Sequence, residues 1–171
     1  MKTNKIITKL LLLLAITAAA QTQAQTGVHF NTNEYFTVSA SIDPTASYKN
    51  NSLDAAAEIE YVGFVYVKAG VEYFPGIKPS YLDLHGAVGI NLMLDTFENS
   101  RAYGGIRLGR IFREDKARGE LFGLESGIDY SVTEKMFVGL RATYDYRNDG
   151  LPLGWGAYWR ASGFVRLGFK F

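Results

Sequence analysis

From Tyr35 to Phe171 the chain repeatedly places an apolar side chain at every second position, with a polar, charged or glycine residue between. A period of two marks a β-strand, whose successive side chains point to opposite faces of a sheet. The last stretch shows it most fully. Trp159, Ala161, Gly163, Val165, Leu167, Phe169 and Phe171 share one side, while Arg160, Ser162, Phe164, Arg166, Gly168 and Lys170 share the other. It outlasts the roughly five or six residues of an ordinary soluble strand. It suits the roughly 9–11 residues that a tilted strand needs to cross a bilayer.

Read along the chain, the same alternation predicts eight strands, near 28–42, 55–61, 65–74, 81–94, 101–113, 121–132, 136–147 and 159–171. The first has a ragged, polar beginning and alternates clearly only from Tyr35. Between the strands lie turn-forming segments: the Pro/Asn/Ser-rich 43–53, a weak turn at 62–63, 75–79 with two prolines, 95–100, the all-polar 114–118, 133–135 and 148–155. In the fifth strand the parity slips, with Arg110 on the apolar side and Ile111 on the polar one. A β-bulge or the edge of a membrane would account for it. An even number of strands sends both ends of the barrel chain to one side. The odd-numbered connections are then broadly the longer ones and face the opposite side, with little mass to protrude.

The polar face decides between a soluble and a membrane barrel. It carries Glu58, Glu60, Glu72, Asp83, Glu125, Asp129 and Asp145 with Lys68, Arg107, Arg141, Arg160, Arg166 and Lys170, and His85 beside Asp83. Acids and bases are nearly balanced, as they must be where an unpaired charge is costly to bury. Most mid-strand glycines also fall on this face, among them Gly70, Gly89, Gly105, Gly123, Gly127 and Gly139. Glycine weakens a strand and needs a reason there. An eight-stranded barrel has an interior just wide enough to be filled by side chains, and glycines leave room for long arginines and glutamates. The opposite face is a belt of Val, Leu, Ile and Ala bounded by Tyr, Phe and Trp. The expectation is an all-β, eight-stranded antiparallel up-and-down transmembrane β-barrel with the charges inside; a soluble lipocalin-like binder is the inverted alternative.

Composition sharpens this picture. Met1–Lys9 holds Lys2, Lys5 and Lys9 without an acid, 10–20 is apolar, and small residues follow at Ala18, Ala20 and Ala24. That is the layout of a cleaved signal peptide, placed at 1–24, with the barrel domain at 25–171. Loss of those lysines leaves the mature chain slightly acidic, and no basic face recommends a nucleic-acid partner. There is no cysteine, so neither disulfide staples nor a cysteine-linked lipid anchor is expected. All 11 Phe, 11 Tyr and 2 Trp lie after the leader, as interfacial aromatic girdles require. No mature stretch is apolar for the ~18 residues of a helical span.

The end of the chain resembles the C-terminal strand of bacterial outer-membrane barrels. The resemblance rests on Phe171 and the apolar set Val165, Leu167 and Phe169, and in that family this strand is the signal read by the barrel-assembly machinery. In architecture the whole mature chain is similar to the small outer-membrane barrels of the OmpA/OmpX type. The resemblance implies an antiparallel meander closed by its last strand on its first, resident in the bacterial outer membrane among its lipids, and monomeric.

No enzyme motif is present: no Walker loop, no H-E-x-x-H, no G-x-S-x-G, and no Cys or paired His to hold a metal. His29 lies in the ragged start. His85 is expected to be a lumenal polar group, its alternative a catalytic base. No catalytic residue, metal or cofactor is therefore expected. The expected role is structural or surface-interacting. The alternatives are a narrow small-solute channel and, because some eight-stranded barrels modify lipid A, a lipid-modifying outer-membrane enzyme.

Overall fold

Strands form where β-branched and aromatic residues alternate with small or charged ones, and they stop where Pro, Gly, Asn or Asp interrupt the ladder. The structure, a computed structural model, describes residues 27–94, 99–114 and 117–171; the expected leader at 1–24 lies outside them. Its strands are β1 (Val28–Phe30), β2 (Tyr35–Ile42), β3 (Ala55–Val62), β4 (Val65–Phe74), β5 (Tyr81–Leu94), β6 (Ser100–Arg113), β7 (Arg118–Ser131), β8 (Met136–Arg147) and β9 (Tyr158–Lys170). A short helix α1 (Pro44–Asn50) and a 3-10 turn at Leu151–Leu153 complete the described elements.

Strands β2 to β9 form an antiparallel meander, each paired with the next. β9 then pairs back on β2, from Thr37↔Lys170 to Ile42↔Val165, and closes the barrel. Closure matters because a sheet edge in hydrocarbon would leave backbone donors and acceptors unmet. Phe36 and Phe171 exchange backbone hydrogen bonds just beyond that ladder, at 3.3 and 2.9 Å, so the final residue helps to fasten the seam.

Three expectations are revised here. The ragged first strand divides: β1 pairs with β5 at Val28↔Leu94 to Phe30↔Leu92, filling the edge of β5 beyond the last rung of β4 at Val65↔Ile90. The 43–53 connection is not all loop. The Asp43 carboxylate accepts the Ala46 N–H at 2.8 Å, Pro44 sits in the first turn where no N–H is needed, and Asn51 ends the helix at φ 49°. The parity slip in β6 needs no bulge. Its register with β5 runs unbroken through Leu84↔Arg110 and Asp83↔Ile111, so Ile111 points inward and Arg110 outward near the rim.

The wall is uneven. β5, β6 and β7 have 14 residues each, β2 and β3 only 8. α1 stands at the low side, on the same end as the 75–80 and 148–157 connections. Orientation of the faces follows from adjacent residues: Leu140 is 58% exposed and Arg141 only 2%. Leu84, Val88 and Leu167 are likewise exposed, whereas Glu125 and Arg166 are buried. The molecule is apolar outside and charged inside.

Candidate functional site

The inward positions stack into layers along the barrel axis. Nearest the C-terminal end of β9, the Arg101 guanidinium holds Glu60 at 2.9 Å and Asp129 at 2.6 Å. Arg166, from β9, reaches Glu58, Glu60 and Asp129, each at 3.3 Å, and donates to the Tyr103 hydroxyl at 2.5 Å. β3 supplies both glutamates because Glu58 and Glu60 are two apart and so share one face.

In the middle, Lys68 meets Glu125 at 2.9 Å and Tyr66 donates to the same carboxylate at 2.8 Å. Arg141 bridges Glu58 and Glu72, the latter at 2.7 Å, with its guanidinium 4.1 Å from the centre of the Phe164 ring. Arg107 reaches Glu72 at 2.9 Å, Asp83 at 3.2 Å and Asp145 at 3.7 Å. His85 lies between two acids, Nδ1 at 3.1 Å from Asp83 and Nε2 at 3.5 Å from Glu58. All of these side chains are buried, and each charge sits beside opposite ones, the condition for keeping ions out of water.

Toward the α1 end the lining turns partly apolar. Ala56, Phe74, Tyr81, Ile111, Leu121 and Phe164 form one inward-facing cluster against which Ala46 of α1 packs. Above it Arg113 holds Asp149 at 2.5 Å, and Arg147 lies 3.6 Å from Asp83 and 3.7 Å from Asp149.

Glycines admit the large lumenal side chains by close approach. A Cβ on Gly127 would lie 2.4 Å from the Tyr103 ring, and one on Gly105 would lie 2.5 Å from the Tyr66 hydroxyl. Tyr66 and Tyr103 thus lie across strands that carry no side chain at that point.

Of the residues singled out in the sequence, Glu58, Glu60, Lys68, Glu72, Asp83, His85, Arg107, Glu125, Asp129, Arg141, Asp145 and Arg166 come together. Arg160 stands apart. Its guanidinium donates to the Tyr81 hydroxyl and to Ser162 Oγ, lies 4.2 Å from the Phe74 ring centre, and makes no ion pair among the described residues. Sequence reasoning left out Arg101, Arg113, Arg147 and Asp149. The first two share parity with Tyr103 and Ile111, a signal obscured by the slip at Arg110; Asp149 is a loop residue with no parity to read.

Glu72, Asp83 and His85 bring ligand-type atoms within 4.8 Å of one another. Arg107 already bridges the two carboxylates, so the cation that such a trio attracts is supplied by the protein. His85 has both ring nitrogens facing carboxylates and is 5% exposed, which gives a substrate no approach to it.

A closed eight-stranded meander with aliphatic exterior and ionised interior defines the fold of a transmembrane β-barrel. The chain is similar in structure to one from the de novo design of transmembrane β-barrels, with a TM-score of 0.51 and 12% identity over 84% of this chain and 100% of that one. It is also similar to Neisserial surface protein A (NspA), with a TM-score of 0.47 and 15% identity over 84% of this chain and 97% of that one. No protein-family model matches the chain, and no curated protein matches it in sequence.

Proposed function

We propose that the protein is a monomeric integral barrel of the bacterial outer membrane, inserted by the barrel-assembly machinery, with a lumen plugged by its own side chains. Its role in this reading is structural or surface-interacting, without reaction or conduction. The observation that carries it is the continuous set of buried ion pairs from Arg101–Glu60 at one end to Arg113–Asp149 at the other. A permeating ion would have to displace paired charges rather than exchange water for a lined path.

The exterior supports membrane residence. Tyr144 and Trp159 stack at 4.8 Å on the outer face near the α1 end, and Phe36 and Tyr61 pair at 5.4 Å near the other, which we read as two interfacial girdles. The test is conductance of the refolded mature chain in planar bilayers. A plugged barrel gives no discrete steps; regular steps would replace this reading with that of a narrow channel. A changed acyl pattern of lipid A in cells producing the protein would replace it with a lipid-modifying enzyme.

A further inference from the structure

The barrel wall has a notch. β9 runs from Tyr158 to Lys170, but its ladder with β2 ends at Ile42↔Val165. The segment 158–164 is therefore paired only with β8, and its other edge faces α1 instead of a strand. A cavity of about 730 Å³ opens there, lined by α1, Tyr81, Arg113, Trp155 and the 160–163 stretch of β9. It takes in both faces of β9: Arg160 and Ser162 point inward, Ala161 and Gly163 outward. The space is thus continuous from the mouth of the lumen to the lipid-facing surface.

Its lining carries more cations than acids, with Lys49, Arg113 and Arg160 against Asp43. Arg160 has no carboxylate partner among the described residues, Lys49 stands exposed at the end of α1, and Arg113 is engaged by Asp149. The acid in the lining, Asp43, caps α1 and keeps its charge, and with Asp54 and Glu72 it lies in the surroundings of Arg160 without forming an ion pair with it. Gly163 leaves the outward part of the groove bare, since a Cβ there would meet nothing within 4 Å. An amphiphile seated in the notch would lay its chain along the bare outward part of β9 while its anionic head meets the guanidinium.

We propose that this notch binds one anionic phospholipid, its phosphate on Arg160 and Lys49 and an acyl chain along Ala161 and Gly163. The proposal rests on the membrane reading above. Partition of the mature chain into detergent-free buffer would overturn that reading, whereas an inserted barrel without lipid preference overturns only this site.

The test is native mass spectrometry of the refolded mature chain in zwitterionic micelles, with dioleoylphosphatidylglycerol, dioleoylphosphatidylcholine or glycerol phosphate added. The expected result is one retained phosphatidylglycerol, favoured at least fivefold over phosphatidylcholine, and no glycerol phosphate adduct. Arg160→Gln should erase the preference, and Gly163→Leu should lower retention of both lipids at least fivefold, with each variant still showing the heat-shifted gel mobility of a folded barrel. If either variant fails to fold, Lys49→Gln, an exposed change, should still reduce the preference at least twofold. Equal retention of the two lipids, a preference that survives Arg160→Gln or Lys49→Gln, or retention unchanged in folded Gly163→Leu would overturn the proposal. Binding of glycerol phosphate as tightly as the lipid would overturn it in favour of a free-phosphate site.

Discussion

At the scale of single residues, the lumen is sensitive to the loss of one charge from a pair. Arg141 holds Glu58 and Glu72 together; Arg141→Ala removes that bridge and leaves Glu58 to Arg166 and Glu72 to Arg107, so the cost falls toward the lower end of the about 3–5 kcal/mol for removing one partner of a buried pair. Urea unfolding in lipid vesicles should show that loss, and a change under 1 kcal/mol would mean the pairs are hydrated. Glycines offer a second contrast within one fold. In Gly127→Ala the new methyl meets the Tyr103 ring and, at 2.6 Å, the Leu140 carbonyl oxygen, an overpacking that costs about 1–3 kcal/mol. Gly163→Ala meets nothing and should be neutral or stabilise by up to about 1 kcal/mol, because it removes the entropy cost of a mid-strand glycine. Equal effects of the two substitutions in the same unfolding assay would contradict the assigned faces.

At the scale of elements, β1 behaves as a clip. It is exposed along its length, bonds to the end of β5 beyond β4, and is fixed by the edge-on packing of Phe30 against Phe64 at 4.6 Å. Phe30→Ala should release it, so that the amides of 92–94 exchange hydrogen faster while those in the middle of β5 stay protected. Unchanged exchange there would show that the clip is held by its ladder alone. Where the alternation was long, sequence reading placed elements closely: β8 lies at Met136–Arg147 as expected, and β5 at Tyr81–Leu94. It failed where local capping or distant pairing decides. Asp43 and Pro44 make a helix start only if the chain turns back over the mouth, and β1 is a strand only because β4 ends early. The charges of the lumen were legible from parity, since a period of two assigns each residue to a face. Their partners were not, because Arg141 and Glu58 are 83 residues apart and meet only when the cylinder closes. Arg160 had the right parity and the wrong height.

At the scale of the whole molecule, the inversion of faces governs everything else. The buried ionic interior and the aliphatic exterior are one fact seen from two sides: a barrel this narrow fills its bore with side chains, and lipid tolerates on its outside only groups that need no water. The uneven wall follows from the same chain. Eight-residue strands at β2 and β3 stop short of their 14-residue counterparts, and α1 occupies the height they leave. Because the sequence has no cysteine, the central claim can be tested with single reporters. Bimane attached to Val88→Cys, Leu140→Cys and Leu167→Cys in refolded vesicles should be quenched by spin-labelled lipid chains and little affected by aqueous iodide. Strong quenching by iodide with no response to the lipid quencher would contradict the account, since it would put these side chains in water.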